Sequence, residues 1–210
     1  LGPGDAVVVS RMEHHSNYVP WQQACFSTGA EFRVAGLTDA GDVDLDGFAE
    51  LLSDGRVKIV AMTGCSNVLG TVNPVRELAE MAHAAGALFV LDGAQIMRHG
   101  VVDIAELGVD YLAFSGHKMM AGTGIGALAG TREALELLEP RDFGGEMVDK
   151  VTAARTTWEE LPLRLEAGTP NYVGAIALGA ACDYLSAIGR EDIATYEASL
   201  VKHAVDALGE

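Results

Sequence analysis

The chain has 210 residues, 49% hydrophobic and 21% charged, with 25 glycines, a profile that suits a glycine-rich globular protein and excludes disordered and collagen-like chains. Lys and Arg total 14 against 30 Asp and Glu, a formal charge of −16, which repels phosphate backbones and gives no basic footprint for nucleic acid or anionic lipid. Three cysteines, Cys25, Cys65 and Cys182, lie far apart without CxxC spacing, so neither a disulfide framework nor a zinc site is expected. No run reaches the roughly eighteen continuous apolar residues of a membrane span and no charged-then-apolar leader opens the chain, so a reducing, cytoplasmic setting is expected.

Short apolar runs at Ala6–Ser10, Glu31–Ala35, Lys58–Thr63, Leu88–Asp92, Tyr111–Ser115 and Gly126–Gly130, each bounded by Gly, Asp, Ser or Asn, predict strands. Helical patterns fall between them at Asp46–Leu52, Val75–Ala85, Ile104–Leu107 and Arg132–Leu138. The second is clearest: Val75, Leu78, Ala79 and Ala82 share a face, Pro74 suits the first turn and Gly86 the stop. Strands joined by helices must run largely parallel in a sheet covered on both faces, so the expected fold is a three-layer α/β/α sandwich. After Pro140 the periodicity disappears, and Arg141–Pro170 reads as an ordered loop region. Helical spacing returns over Tyr172–Ile188 and Glu191–Leu208. The expected division is a large domain over 1–171 and, over 172–210, helices leading into a smaller C-terminal domain.

In an open parallel sheet, ligands sit beyond the carboxyl ends of strands, so polar residues just after apolar runs are the ones to inspect. Ser10 is followed by Met12-Glu13-His14-His15-Ser16-Asn17, Thr63 by Ser66-Asn67, Leu91 by Asp92-Gly93-Ala94-Gln95, and Phe114 by Ser115-Gly116-His117-Lys118. A partly desolvated lysine can form a Schiff base with an aldehyde, and a carboxylate opposite a pyridine nitrogen keeps that nitrogen protonated. Lys118 and Asp92 therefore suit pyridoxal phosphate. Ser115 and His117 flank the lysine on a small-residue turn that could hold a phosphate. His15 could stack on a flat ring, and Gln95 and Asn67 could reach its phenolic oxygen. His14 and His15 lack further ligands at metal spacing, so no metal is expected. The loose GxGxxA match at Gly124–Ala129 precedes a strand instead of opening a helix, which argues against a dinucleotide site.

MEHHSN-x3-W, SNVLGT, DGAQ, SGHK and EAGTPN occur in that order across nearly the whole chain. The sequence resembles the central part of SufS-type cysteine desulfurases, in the class V aminotransferase family of fold-type I pyridoxal-phosphate enzymes. The resemblance implies that Lys118 carries the cofactor and moves the α-proton of L-cysteine, that Asp92 pairs with the pyridinium and that His15 stacks over the ring. It further implies Gln95 at the phenolic oxygen with Asn67 nearby, Ser115 and His117 at the phosphate, and Thr169 at the phosphate of a neighbouring subunit, hence a homodimer. The implied reaction yields L-alanine and passes sulfur as a persulfide to an acceptor protein for iron–sulfur assembly. None of the three cysteines falls in the family's persulfide motif, so that residue is expected outside this sequence. Met119-Met120-Ala121-Gly122-Thr123-Gly124 replaces the usual GPTG turn, and Thr63-Gly64-Cys65-Ser66 replaces a segment that commonly holds histidine. A selenocysteine lyase, another class V aminotransferase or a non-catalytic scaffold are the alternative readings.

Overall fold

A computed structural model describes residues 1–209. In chain order the elements are β1 (Ala6–Ser10), α1 (His15–Thr28), β2 (Glu31–Ala35), α2 (Leu45–Leu52), β3 (Val57–Thr63), α3 (Val75–Ala84), β4 (Leu88–Asp92), α4 (Ile96–His99), α5 (Ile104–Leu107) and β5 (Tyr111–Ser115). A 3-10 turn, Gly116–Met119, leads to β6 (Gly126–Gly130) and α6 (Arg132–Glu136). The hairpin β7 (Val148–Val151) and β8 (Thr156–Trp158) is followed by α7 (Tyr172–Ile188) and α8 (Arg190–Leu208).

Six strands form one sheet in the order β2-β1-β3-β4-β5-β6, parallel except for β6, which runs antiparallel to β5. This is the mostly parallel α/β architecture expected from the sequence. Every residue of β1 is fully buried, as a strand covered on both faces requires, and that is why it reads as an unbroken apolar run. Phe48 of α2, Leu78 of α3 and Phe89 and Leu91 of β4 are sealed in one core cluster. Each such side chain contributes roughly 1.5–3 kcal/mol by leaving water.

Local signals set the helix ends. Asp44 caps α2, its carboxylate accepting from Gly47 N at 3.2 Å, and Gly86 beyond α3 adopts a φ of 77° that other residues reach at a cost. Arg141–Pro170 is not loop throughout: it contains the β7–β8 hairpin and a 3-10 turn at Leu163–Leu165. α8 is fastened to α4 by His99 Nδ1, which donates to Glu197 at 2.5 Å, and by Arg190, which donates to the carbonyls of Met97 and Gly100.

Candidate active site

The parallel strands end together at Ser10, Thr63, Asp92 and Ser115. Thr63 pairs with Asp92 across β3–β4, and Asp92 with Ala113 across β4–β5, so the three share one sheet face. A cleft of about 210 Å³ opens there, lined by Asp92, Ala113 and Ser115 with Ser16 and Asn17 from α1. Asp92 accepts a hydrogen bond at Oδ1 from Ala94 N at 2.9 Å. That bond shapes the strand-to-helix turn, while Oδ2 makes no hydrogen bond among the described residues.

The floor beside Asp92 is polar and sealed. Glu13 is only 9% exposed. Its Oε1 accepts from the Ser10 hydroxyl at 2.5 Å and from Thr63 N at 3.0 Å, and its Oε2 accepts from Asn17 Nδ2 at 2.7 Å. Asn17 Oδ1 in turn accepts from the Trp21 indole at 3.0 Å. Burial raises the Glu13 pKa to about 7 against the lowering effect of these bonds, and the nearby Asp92 charge adds to the rise.

Helix α1 begins over this floor. His14 is its N-cap: Nδ1 accepts from Ser16 N at 3.2 Å and lies 2.8 Å from the Ser16 hydroxyl, so in the neutral ring the proton sits on Nε2. His15, the first helical residue, is exposed and makes no side-chain hydrogen bond among the described residues. The structure thus fixes His14 by hydrogen bonds and sets the His15 ring, the functional imidazole of the sequence reading, tilted against it with centroids 6.1 Å apart.

Lys118 sits half-buried on the 3-10 turn that follows β5, with no salt bridge or hydrogen bond to its amine among the described residues. Two glycines hold this turn against β6. A Cβ at Gly116 would fall 2.6 Å from Ile125 Cγ2, and one at Gly126 would fall 2.6 Å from the Phe114 carbonyl oxygen. Within Gly124–Ala129, Gly126 therefore serves close backbone approach, while Gly124 supplies a φ of 82°. Met120, two residues beyond the lysine, takes a φ of 66°, a left-handed conformation that costs a non-glycine residue about 1 kcal/mol.

Of the residues named from sequence, Asp92 and Ser115 line the cleft and His117 and Lys118 occupy the turn next to it. Gln95 precedes α4, half-buried, three residues beyond Asp92. Asn67 is exposed on the loop after β3, and Thr169 is exposed ahead of α7. The loop carrying Thr169 is tied to the lysine side of the sheet by Asn171 Nδ2, which donates to the Gly124 carbonyl at 2.9 Å. Glu13 and Asn17 were read from sequence only as members of a polar run. Their signal was the four-residue spacing of Glu13, Asn17 and Trp21, which stacks them along one side of a helix entry.

Residues 1–210 match the family described as Aminotransferase class-V. The chain belongs to the class-V aminotransferase family. Among curated relatives in this family, a probable cysteine desulfurase of Halalkalibacterium halodurans is 49% identical over 210 residues, covering 100% of this chain and 52% of the relative. A cysteine desulfurase of Haloferax volcanii is 47% identical, with 100% of this chain and 49% of the relative covered. The crystal structure of the Escherichia coli cysteine desulfurase CsdA superposes with a TM-score of 0.96 at 39% identity, over 100% of this chain and 52% of that one. The chain thus spans about half the length of the class-V relatives it matches.

Proposed function

We propose that this chain is the cofactor-binding part of a pyridoxal-phosphate-dependent cysteine desulfurase, nearest in kind to the SufS type. L-cysteine becomes L-alanine, and its sulfur passes to a thiol as a persulfide, on the way to an acceptor protein and iron–sulfur assembly. The observation that carries this reading is the adjacency of β4 and β5: it puts Asp92 at a cleft next to Ser115 and the turn that bears His117 and a lysine unpaired among the described residues. Relatives at 49% and 47% identity that carry the desulfurase name support the reaction class.

The donor set fits the cofactor. Among the described residues, Lys118 offers an amine without a competing partner and Asp92 a carboxylate oxygen without a hydrogen bond, while Ser115 and His117 offer a hydroxyl and an imidazole at the start of one turn. When bound, pyridoxal phosphate supplies an electron sink for negative charge at the substrate Cα. Lys118 would hold it covalently and then take and return the Cα proton. Asp92 would keep the ring nitrogen protonated, Ser115 and His117 would hold the phosphate, and Thr169 would do so for a second subunit of a homodimer. Gln95 and Asn67 would face the phenolic oxygen, and His15 would stack on the ring.

The sulfur acceptor is not assigned to a cysteine of this chain. Burial pushes the thiols of Cys25 and Cys65 up, the wrong direction for a nucleophile. Cys182 lies half-buried on α7, one of two helices that we place at the entry to a second domain. The free state of all three cysteines suits a cytoplasmic setting. The deciding experiment adds pyridoxal phosphate to the full-length protein and to Lys118→Ala and records visible absorption. A band present in wild type and lost in the variant supports the reading, and identical spectra overturn it.

A further inference from the structure

We infer that Glu13 is a positioning residue of this site: its carboxyl locks the Asn17 amide onto the cleft wall beside Asp92 and joins the carboxyl ends of β1 and β3 to the first turn of α1. The function proposed above gives Glu13 no role, and the inference leans on that proposal only where cofactor binding is the readout.

The argument starts from donors that have no choice. The Trp21 indole N–H can only donate, so the Asn17 atom it meets at 3.0 Å must be the oxygen. The Asn17 NH2 group is thereby turned to Glu13 Oε2, 2.7 Å away. The Thr63 backbone N–H, equally unable to accept, meets Oε1 at 3.0 Å. Both oxygens of residue 13 must therefore accept, and a carboxyl is the side chain of this length with two acceptors.

Ser10 completes the device. Its hydroxyl lies 2.5 Å from Oε1 and itself accepts from Met12 N at 3.3 Å. A hydroxyl can donate to a carboxylate or accept from a carboxylic acid. The network can thus hold Glu13 with or without its proton and move no heavy atom, and its value of about 7 places both forms within reach of neutral pH.

A glutamine at this position would have nearly the same shape but the wrong polarity, since its NH2 group must face either Thr63 N–H or the Asn17 amide. If Asn17 turned over to relieve the clash, it would set its own NH2 group against the Trp21 indole. Trp21 is therefore the latch on Asn17, and removing it should let the amide turn freely. Asn17 lines the cleft, so a misplaced amide should be felt by whatever occupies it.

The test compares full-length wild type, Glu13→Gln, Trp21→Phe and the double variant E13Q/W21F. Each is titrated with pyridoxal phosphate by absorption, and each is melted without cofactor. Glu13→Gln should weaken pyridoxal phosphate binding about tenfold and lower the melting midpoint, the scale of one buried donor left facing another. In E13Q/W21F most of the affinity should return and part of the midpoint should be regained. Glu13→Gln indistinguishable from wild type in both measurements, or an equal loss in the two backgrounds, overturns the inference. Should Glu13→Gln alone fail to fold, a folded, cofactor-binding E13Q/W21F supports it and an unfolded one overturns it. Lys118→Ala judges the functional reading separately: if the wild-type band does not depend on that lysine, the cofactor-free midpoints still decide the case of Glu13.

Discussion

Asp92 and Ser115 end neighbouring parallel strands and line the same cleft. The register puts Asp92 opposite Ala113, so the turn bearing Lys118 starts three residues beyond the level of the carboxylate. Strand order alone brings two distant sequence motifs to one mouth, at the carboxyl edge where open parallel sheets bind ligands.

Asp92→Asn tests the electrostatic half of that arrangement. The Ala94 bond to Oδ1 can be kept by the asparagine oxygen, so the turn should survive while the negative charge is lost. Cofactor affinity should fall modestly and turnover of L-cysteine by about a hundredfold, the usual effect of losing a preorganised electrostatic partner. Steady-state kinetics of the full-length protein with cofactor in excess give the answer, and near-wild-type turnover would remove Asp92 from the mechanism.

The two adjacent histidines should separate by readout. His14→Ala removes the helix cap and should cost about 1 kcal/mol in urea unfolding. His15→Ala should leave stability unchanged and lower turnover, as stacking on the cofactor by that ring requires. A His14→Ala variant that loses turnover while His15→Ala keeps it would transfer the stacking role to the capping residue.

Most of the sheet was legible: β1, β2, β4, β5 and β6 have the residues predicted for them. β1 reads as an unbroken apolar run because a doubly covered parallel strand must be apolar throughout, whereas the edge strands β2 and β6 were marked by the Gly or Thr that bounds their short runs. Helix α1 was not. It carries Pro20 inside, its sequence is rich in aromatic and polar residues, and only Asn17 and Cys25 are buried along its length, so no apolar stripe marks it. The β7–β8 hairpin escaped because its strands have four and three residues and are largely exposed. Asp92, Ser115 and Lys118 could be read because each follows an apolar run directly. For Glu13 the spacing to Asn17 and Trp21 signalled contact but not burial, since its burial depends on Thr63, a partner fifty residues away.

Glu13 also predicts how stability varies with pH. Its folded value of about 7 lies above its ordinary 4.5, so between these values the folded state binds more protons than the unfolded chain. Stability from this group is then fully present below about 4.5 and is lost as the pH climbs through about 7. The gap in melting midpoint between wild type and Glu13→Gln should therefore narrow on going from pH 5 to pH 7.5, the difference cancelling whatever the two proteins have in common. A gap that is constant or widens with pH contradicts a neutral buried Glu13.

Gly126→Ala probes the mounting of the lysine turn. Its new methyl would meet the Phe114 carbonyl oxygen at 2.6 Å, and that oxygen belongs to the backbone of β5, so it cannot rotate away as a side chain could. β6 must shift instead, at a cost of about 1–3 kcal/mol, typical of overpacking. Because Gly126 pairs with Ser115, the displacement reaches the residue at which the turn carrying His117 and Lys118 begins. Urea unfolding should show the lost stability, and titration with pyridoxal phosphate should show weaker binding in the same variant. Full stability together with wild-type affinity would mean that the two strands have room the geometry does not provide.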